Sequence, residues 1–511
     1  MMTHLLKPTV TLLTTLSLGL TSSLHADSSP PNIVFIYADD MGYGDVTYLN
    51  PARCKIATPQ LDSIAEQGMI FTDAHTSSSV CTPSRYSLIT GRYNWRTKLQ
   101  YHVTYGYAGA LINDDTLTVG EVLQDQGYNT AMVGKWHIGL NLATTDGKPA
   151  YGANRNRASN VDWAAEITGG PADHGFDYFY GISASLDMPP FVYIENKHFQ
   201  GAPAENRHDD RHADFNHYDV LDTLVAKSTE FINLQSEDKP FFLYVPLTSP
   251  HTPIIPTPQW RGKSGINHYA DFQMMTDDII GQIVSAIDTA GFKENTLLII
   301  SSDNGCSKAA NIKQLENAGH FPSAQFRGSK ADLWEGGHRV PFIVRWPALV
   351  KPGTSSDETI CLTDFLATCA EITGATVPQN QGVDSVSFLP ALKGKEIKST
   401  RQGIINHSIS GHFAYRKGDW KLLLAKGSGG WTQPTERTMH AIEGSLDAQL
   451  YNLATDPGEA TNVYEDHPEI AAELLTQLKS EIANGRSTAG PAIPNDIPVD
   501  QIKLWKGNVA R

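Results

Sequence analysis

Three carboxylates and one amide stand in two short polar runs, Asp39-Asp40-Met41-Gly42 and Asp303-Asn304-Gly305, each just after an apolar stretch. Oxygen donors delivered by segments so far apart in the chain form the hard ligand set expected of Ca²⁺ or Mg²⁺, although either run alone is more often a turn. Cys81 opens Cys81-Thr82-Pro83-Ser84-Arg85. Pro83 fixes the entry to a helix, so side chain 81 is expected at a helix N-terminus, where free N–H groups favour an anion. Lys135 and His137 in Gly-Lys-Trp-His, His251 in Ser-Pro-His-Thr-Pro and Lys330 in Arg-Gly-Ser-Lys add two cations and two imidazoles. Imidazoles titrate near neutrality and suit proton transfer, whereas any one such residue alone would be read as surface.

The expected elements bring these residues to one place. Asn32 to Tyr37 is a continuous apolar run, the composition of a parallel strand buried on both faces. Thr58-Pro59 opens a helix with Leu61, Ile64 and Ala65 on one face, and Thr118 to Gly127 repeats the device. Short strands follow at Thr130 to Val133, Phe241 to Val245 and Leu297 to Ile300, with helical spacing of Phe272, Met275, Ile279, Ile280, Ile283 and Ile287 between the last two. This βαβ order predicts an α/β fold with a large, helix-covered, mostly parallel sheet. Asp39, Asp40, Lys135, His137, His251, Asp303 and Asn304 then fall just beyond the C-terminal ends of strands, the edge where such sheets bind ligands. After about residue 375 the alternation in Phe413 to Leu424 and the amphipathic run Pro468 to Ala483 predict a smaller C-terminal α+β subdomain with an antiparallel sheet. The expected units are a signal peptide over 1–26, a catalytic domain over 27–385 and the subdomain over 386–511.

Cys81-Thr82-Pro83-Ser84-Arg85, with Leu88-Ile89-Thr90-Gly91-Arg92 behind it, closely resembles the sulfatase signature C-x-P-S-R-x-x-L-x-T-G-R. The resemblance covers roughly residues 32–345 and extends weakly to Asp456-Pro457-Gly458-Glu459 and Asn462. It implies an alkaline-phosphatase-like architecture and oxidation of Cys81 to formylglycine (3-oxoalanine) by a formylglycine-generating maturation enzyme. A hydrated aldehyde suits the reaction: one hydroxyl attacks sulfur, and deprotonation of the other expels sulfate. By the same resemblance one Ca²⁺ is held by Asp39, Asp40, Asp303, Asn304 and side chain 81, and Arg85 holds the diol or its alkoxide. Lys135 and Lys330 neutralise the transferring sulfate, His251 is the general acid for the leaving oxygen, and His137 takes a proton from the sulfated diol. Glu335 and the glycines of Trp334 to Pro341 are read as structural.

Composition narrows the substrate. Forty Lys+Arg against 55 Asp+Glu give a net charge of −15, which excludes a basic nucleic-acid-binding domain and would repel a polyanion at long range. The stretches Asn141 to Pro171 and Phe191 to Tyr218 are rich in His, Arg, Asn, Asp and aromatics, suited to gripping a sugar. Arg92 to Arg96 and Ser183 to Pro190 look like bacterial enzymes that desulfate glycosaminoglycans or galactans. The expected substrate is a sulfated carbohydrate, with a 6-O-sulfate on galactose or N-acetylgalactosamine as the specific reading and Asp187, His407 and His412 as sugar ligands. Another sulfated sugar position, a phosphoesterase of the same superfamily and an inactive sugar-binding protein are the alternatives. The Thr/Leu-rich apolar run from Thr9 to Leu20, with cleavage expected near Ala26, reads as a secretory signal, giving a periplasmic or secreted protein without a membrane anchor. Five cysteines then leave at least one thiol unpaired.

Overall fold

Asn32–Ala38 is a strand near the middle of a ten-stranded sheet, and all seven of its residues are buried. The computed structural model describes residues 30–154, 157–204 and 209–499, so the expected signal peptide lies outside the described residues. The Asn32 strand pairs in parallel with Thr296–Ser302 on one side and Phe241–Pro246 on the other. Asn129–Lys135 and Tyr178–Ile182 continue the parallel series. Antiparallel pairings enter toward both edges, through Phe342–Arg345 and through Ile194–Glu195.

The period of two along a strand divides the core into layers. Ile33, Phe35 and Tyr37 pack with Met132, Phe242, Tyr244 and Leu297, while Val34 and Ile36 pack with Val133, Leu243, Val245 and Ile300. Helices cover both layers, which is why these strands carry no polar alternation. His268–Thr289 lays Phe272, Met275, Ile279 and Ile283 on the second layer. Cys81–Thr90, Val119–Asp125 and Phe365–Thr373 cover the first through Leu88, Leu123 and Phe365. Thr118 and Glu121 form the capping box that starts the Val119 helix. The strand expected at Thr130 to Val133 runs on to Lys135, because Tyr178–Ile182 extends its ladder through Gly134.

A separate four-stranded antiparallel sheet has the order Ile404–His407, Phe413–Lys417, Trp420–Leu423, Gln449–Asn452. The helix Pro468–Ala483 covers it with Ala471, Leu474 and Leu478. Phe388 to Leu392 packs instead into the core of the large sheet, so the small sheet's own packing begins at Ile404. Tyr93 and Trp95 enter the small sheet's core, Tyr93 accepts the Ile405 N–H, and Arg96 pairs with buried Asp384 at 2.8 Å. The Arg92 to Arg96 segment therefore braces the two sheets together. All five cysteines are buried free thiols. Among the described residues no helix is long and apolar enough to cross a membrane.

Candidate active site

Neighbouring strands deliver the two polar runs together. Asp39 follows Asn32–Ala38 and Asp303 follows Thr296–Ser302, and these strands pair along their whole length. Asp40 adopts a left-handed backbone, φ 70°, and its N–H donates to Asp303 Oδ1 at 3.1 Å. Asn304 donates through Nδ2 to Asp40 Oδ1 at 2.7 Å, leaving its own Oδ1 buried without a partner. Gly305 must be glycine for this turn to dock: a Cβ there would lie 1.9 Å from the Gly336 carbonyl oxygen.

Cys81 is the first residue of its helix, and its Sγ stands 3.7 Å from Asp39 Oδ1 and 3.4 Å from Lys330 Nζ. Lys135 Nζ pairs with Asp39 Oδ2 at 2.7 Å and Lys330 Nζ with Asp40 Oδ1 at 2.5 Å. Arg85, expected to hold an oxygen on a matured side chain 81, directs Nε and Nη2 at Asp303 Oδ2, at 3.1 and 2.7 Å. Its fully buried guanidinium is drawn to the nearest carboxylate, and it acts here as the counter-charge of the donor cluster.

The two imidazoles are held in opposite states. His137 donates Nε2–H to the Thr104 carbonyl at 2.8 Å, which leaves Nδ1 as a buried lone pair without a partner. Burial, reinforced by Lys135 and Arg85, pushes its pKa well below the usual histidine value, so the ring is neutral. His251 anchors Nδ1 on the Thr252 carbonyl at 2.7 Å and beside Ser185 Oγ at 3.1 Å, while Nε2 lies 3.8 Å from Asp40 Oδ2. Burial and Lys330 oppose its charge, but Asp39 and Asp40 outweigh them and raise it to about 9, so it carries a proton at neutral pH.

The carboxylates are unequal too. Burial resists the charge on Asp39, yet Lys135, His251, Arg85 and Lys330 hold it well below the usual carboxylate range. Asp303 is pushed well above that range by burial, by Asp39 and by Cys81. Burial raises the Cys81 thiol, but Lys135 and Lys330 bring it below its ordinary value, so position 81 favours negative charge. A divalent cation among these oxygens would offset the crowding of Asp39 and Asp303 and give Asn304 Oδ1 its missing partner. The donor set fits Ca²⁺ on those grounds.

The predicted catalytic and donor residues thus meet in one buried cluster; the three expected sugar ligands do not. Asp187 is exposed and accepts the Thr252 hydroxyl at 3.3 Å, next to His251. His407 is fully buried in its strand with its ring 5.0 Å from Phe413, and its carbonyl accepts from Ser79 N and Ser78 Oγ just before Cys81. His412 is 5% exposed, and its Nδ1 donates to the Leu424 carbonyl at 3.0 Å. Strand pairing and core packing, invisible in single residues, place both histidines as internal braces. Two residues of the site had escaped notice: Thr104, which sets the His137 tautomer, and Ser185, which steadies His251. Ser185 sits inside the Ser183 to Pro190 stretch, whereas nothing in the sequence around Thr104 signals its role.

A large helix-covered sheet with a buried cysteine, a carboxylate cluster and two imidazoles at its C-terminal edge has the architecture of the alkaline-phosphatase-like class. The sulfatase family model matches residues 31–375, and the model of the N-sulphoglucosamine sulphohydrolase C-terminal region matches residues 329–488. The chain is 30% identical to the N-acetylgalactosamine-6-O-sulfatase of Bacteroides thetaiotaomicron, over 93% of this chain and 98% of that protein. It is 31% identical to arylsulfatase A of Bos taurus, over 91% of this chain and 89% of that protein. A solved Bacteroides thetaiotaomicron sulfatase, described with the metabolism of multiple glycosaminoglycans, superposes with a TM-score of 0.76 at 30% identity, covering 89% of this chain and 99% of the other. The chain belongs to the sulfatase family and is a sulfuric ester hydrolase.

Proposed function

We propose that the protein hydrolyses the 6-O-sulfate of a galactose-type sugar, galactose or N-acetylgalactosamine, with Cys81 matured to formylglycine and one Ca²⁺ per chain. Formylglycine, once formed and hydrated, supplies the hydroxyl nucleophile that a thiol cannot. Ca²⁺ supplies positive charge against the sulfate and is held by Asp39, Asp40, Asp303 and Asn304. Lys135 and Lys330 bind the sulfate from the same buried side, where charge acts at low dielectric and needs no reorganisation. His251, charged and anchored through Nδ1, donates the Nε2 proton to the departing sugar oxygen. His137, neutral and fixed by Thr104, receives a proton at Nδ1 from side chain 81. The opposite protonation of the two rings lets one pocket act as acid and as base at one pH.

The observation that carries the sugar reading is the cavity beside His251. About 720 Å³ is lined by Asp187, Phe191, Arg211, Asn216, His217 and Tyr218 among others, joined to the catalytic loop through Thr252. Convergent hydrogen-bonding groups beside aromatic faces suit a pyranose. The relative named for N-acetylgalactosamine 6-sulfate supports the position on the ring. Asp187 is then the sugar ligand of this cavity, and His407 and His412 act through the loops they brace. The apolar N-terminal run supports export to the periplasm or medium, where a polysaccharide substrate is found.

Sulfate release by matured enzyme from saccharides each sulfated at one known position tests this reading, with Cys81→Ala as control. Turnover confined to O6 of galactose or N-acetylgalactosamine is expected. Release only from another position would overturn the specificity and leave the chemistry in place.

A further inference from the structure

Beside Lys330 the protein reverses its overall charge. A cleft of about 860 Å³ lies between the loop that follows Thr296–Ser302, the segment 321–329 and Trp431 to Gln433. Arg53, Lys308, Lys313 and Arg327 line it, opposed by the single acidic side chain of Glu316. Among the described residues none of these four cations forms an ion pair, unlike the buried Lys135, Lys330 and Arg85. Three lie over rings instead: Lys308 Nζ is 4.4 Å from the Trp431 centroid, Arg53 3.6 Å from Phe321 and Arg327 3.6 Å from Trp334. Lys308 and Lys313 are exposed and Trp431 is half-buried.

The cleft is built onto the catalytic loop. Ser329, which lines it, precedes Lys330, and Lys330 N donates to the Cys306 carbonyl, two residues before Lys308. Asp332 accepts the N–H groups of Trp431 and Thr432 through one oxygen, at 2.8 and 3.0 Å, and that of Ser329 through the other, at 2.9 Å. One buried carboxylate therefore fixes the indole and the sulfate-facing lysine relative to each other. The cationic, aromatic-lined cleft is thus tied to the catalytic loop through the backbone of Ser329 and Lys330 and through Asp332.

We propose that this cleft is a second saccharide site, which binds an anionic stretch of the same sulfated polysaccharide at a distance from the ester being cleaved. The proposal rests on the sugar-sulfate reading above. Sulfated chains present repeated charges that unpaired Lys and Arg side chains bind through charge-assisted hydrogen bonds, and C–H faces that an indole covers. In a chain of net charge −15, such a patch also supplies the local attraction that the whole molecule lacks.

The test compares N-acetylgalactosamine 6-sulfate with a chondroitin 6-sulfate hexasaccharide, using wild type, a Lys308→Gln/Lys313→Gln variant and Trp431→Ala, each first shown to melt at the wild-type temperature. The expected result is a KM for the hexasaccharide raised about tenfold in each variant, with monosaccharide kinetics unchanged. The wild-type advantage on the hexasaccharide is also expected to vanish at about 0.5 M salt. Equal effects on both substrates, no effect on the hexasaccharide, or tighter binding of single-stranded DNA than of hexasaccharide would overturn the proposal. If wild type cleaves neither sugar, the catalytic reading has failed, and calorimetric binding of the hexasaccharide to Cys81→Ala protein decides the cleft alone. Loss of that binding on adding the lysine changes supports the cleft, and binding unchanged by them overturns it.

Discussion

Two buried clusters of charge sit on either side of the segment 330–339, and they have opposite characters. Around Glu335, every charge is answered from within: Lys421 bridges Glu335 and Glu459 at 2.9 and 2.8 Å, Arg339 pairs with Glu335 at 2.8 Å, and Arg416 holds Asp73 at 2.7 Å. His75 and His338 meet at 3.0 Å between Nδ1 atoms, and burial pushes both below the usual histidine range, so they stay neutral inside this frame. His75, Glu335 and His338 could be mistaken for a metal site, but Lys421, Arg339 and Arg416 occupy the positions a cation would take. Around Asp39 the carboxylates are also answered, by Lys135, Lys330 and Arg85, but Asn304 Oδ1 and His137 Nδ1 are left without partners. The first cluster joins the large sheet to the small one; the second is the one proposed to take a cation and a substrate.

The largest effect expected is at position 81. Cys81→Ala should lower kcat for sulfate release by at least about 10³-fold with no change in melting temperature. In the other cluster the loss should fall on folding: Lys421→Met leaves Glu335 and Glu459 facing each other and should cost about 3–5 kcal/mol in chemical denaturation, with Ca²⁺ binding intact. A Lys421→Met protein of wild-type stability would break the distinction. Calcium should raise the stability of wild type, by about 2.7 kcal/mol at a hundred times its dissociation constant, and leave Asp303→Ala unmoved in a thermal scan. The acid role proposed for His251 sets a sign for pH: protonated below about 9, it should be active there and lose kcat/KM as pH rises through its pKa. Calcium should move that alkaline limb downward, because Asp39 and Asp40 are what hold the pKa up; a limb that rises with calcium would contradict this. Asp187→Ala should be smallest, raising KM about tenfold with kcat nearly unchanged.

The pattern of legibility follows the same division. Asp39 and Asp303 could be picked out because each sits in a short polar motif at the end of an apolar run, and Cys81 and Lys330 because each sits in a short motif that resembles the family's. The long parallel strands were legible because burial on both faces removes polar residues from them. Thr104 and Ser185 were hidden, since a carbonyl or a hydroxyl contributes by position and not by type. His407 and His412 misled for the converse reason: their residue type suggests a ligand, while strand pairing turns them inward. Glu459 lies in Asp456-Pro457-Gly458-Glu459, yet its contact with the Glu335 N–H at 2.6 Å depends on how two sheets meet, which no local pattern encodes.

The central claim is that the Asp39 cluster is completed by one hard cation and then releases sulfate. Metal content and sulfate release, measured on the same matured protein before chelation, after it and after calcium is returned, test that claim most directly. One calcium per chain, with release from N-acetylgalactosamine 6-sulfate lost on chelation and restored by calcium, is the predicted result. Two zinc ions per chain with faster turnover of phosphate monoesters, or sulfate release indifferent to chelation, would contradict it.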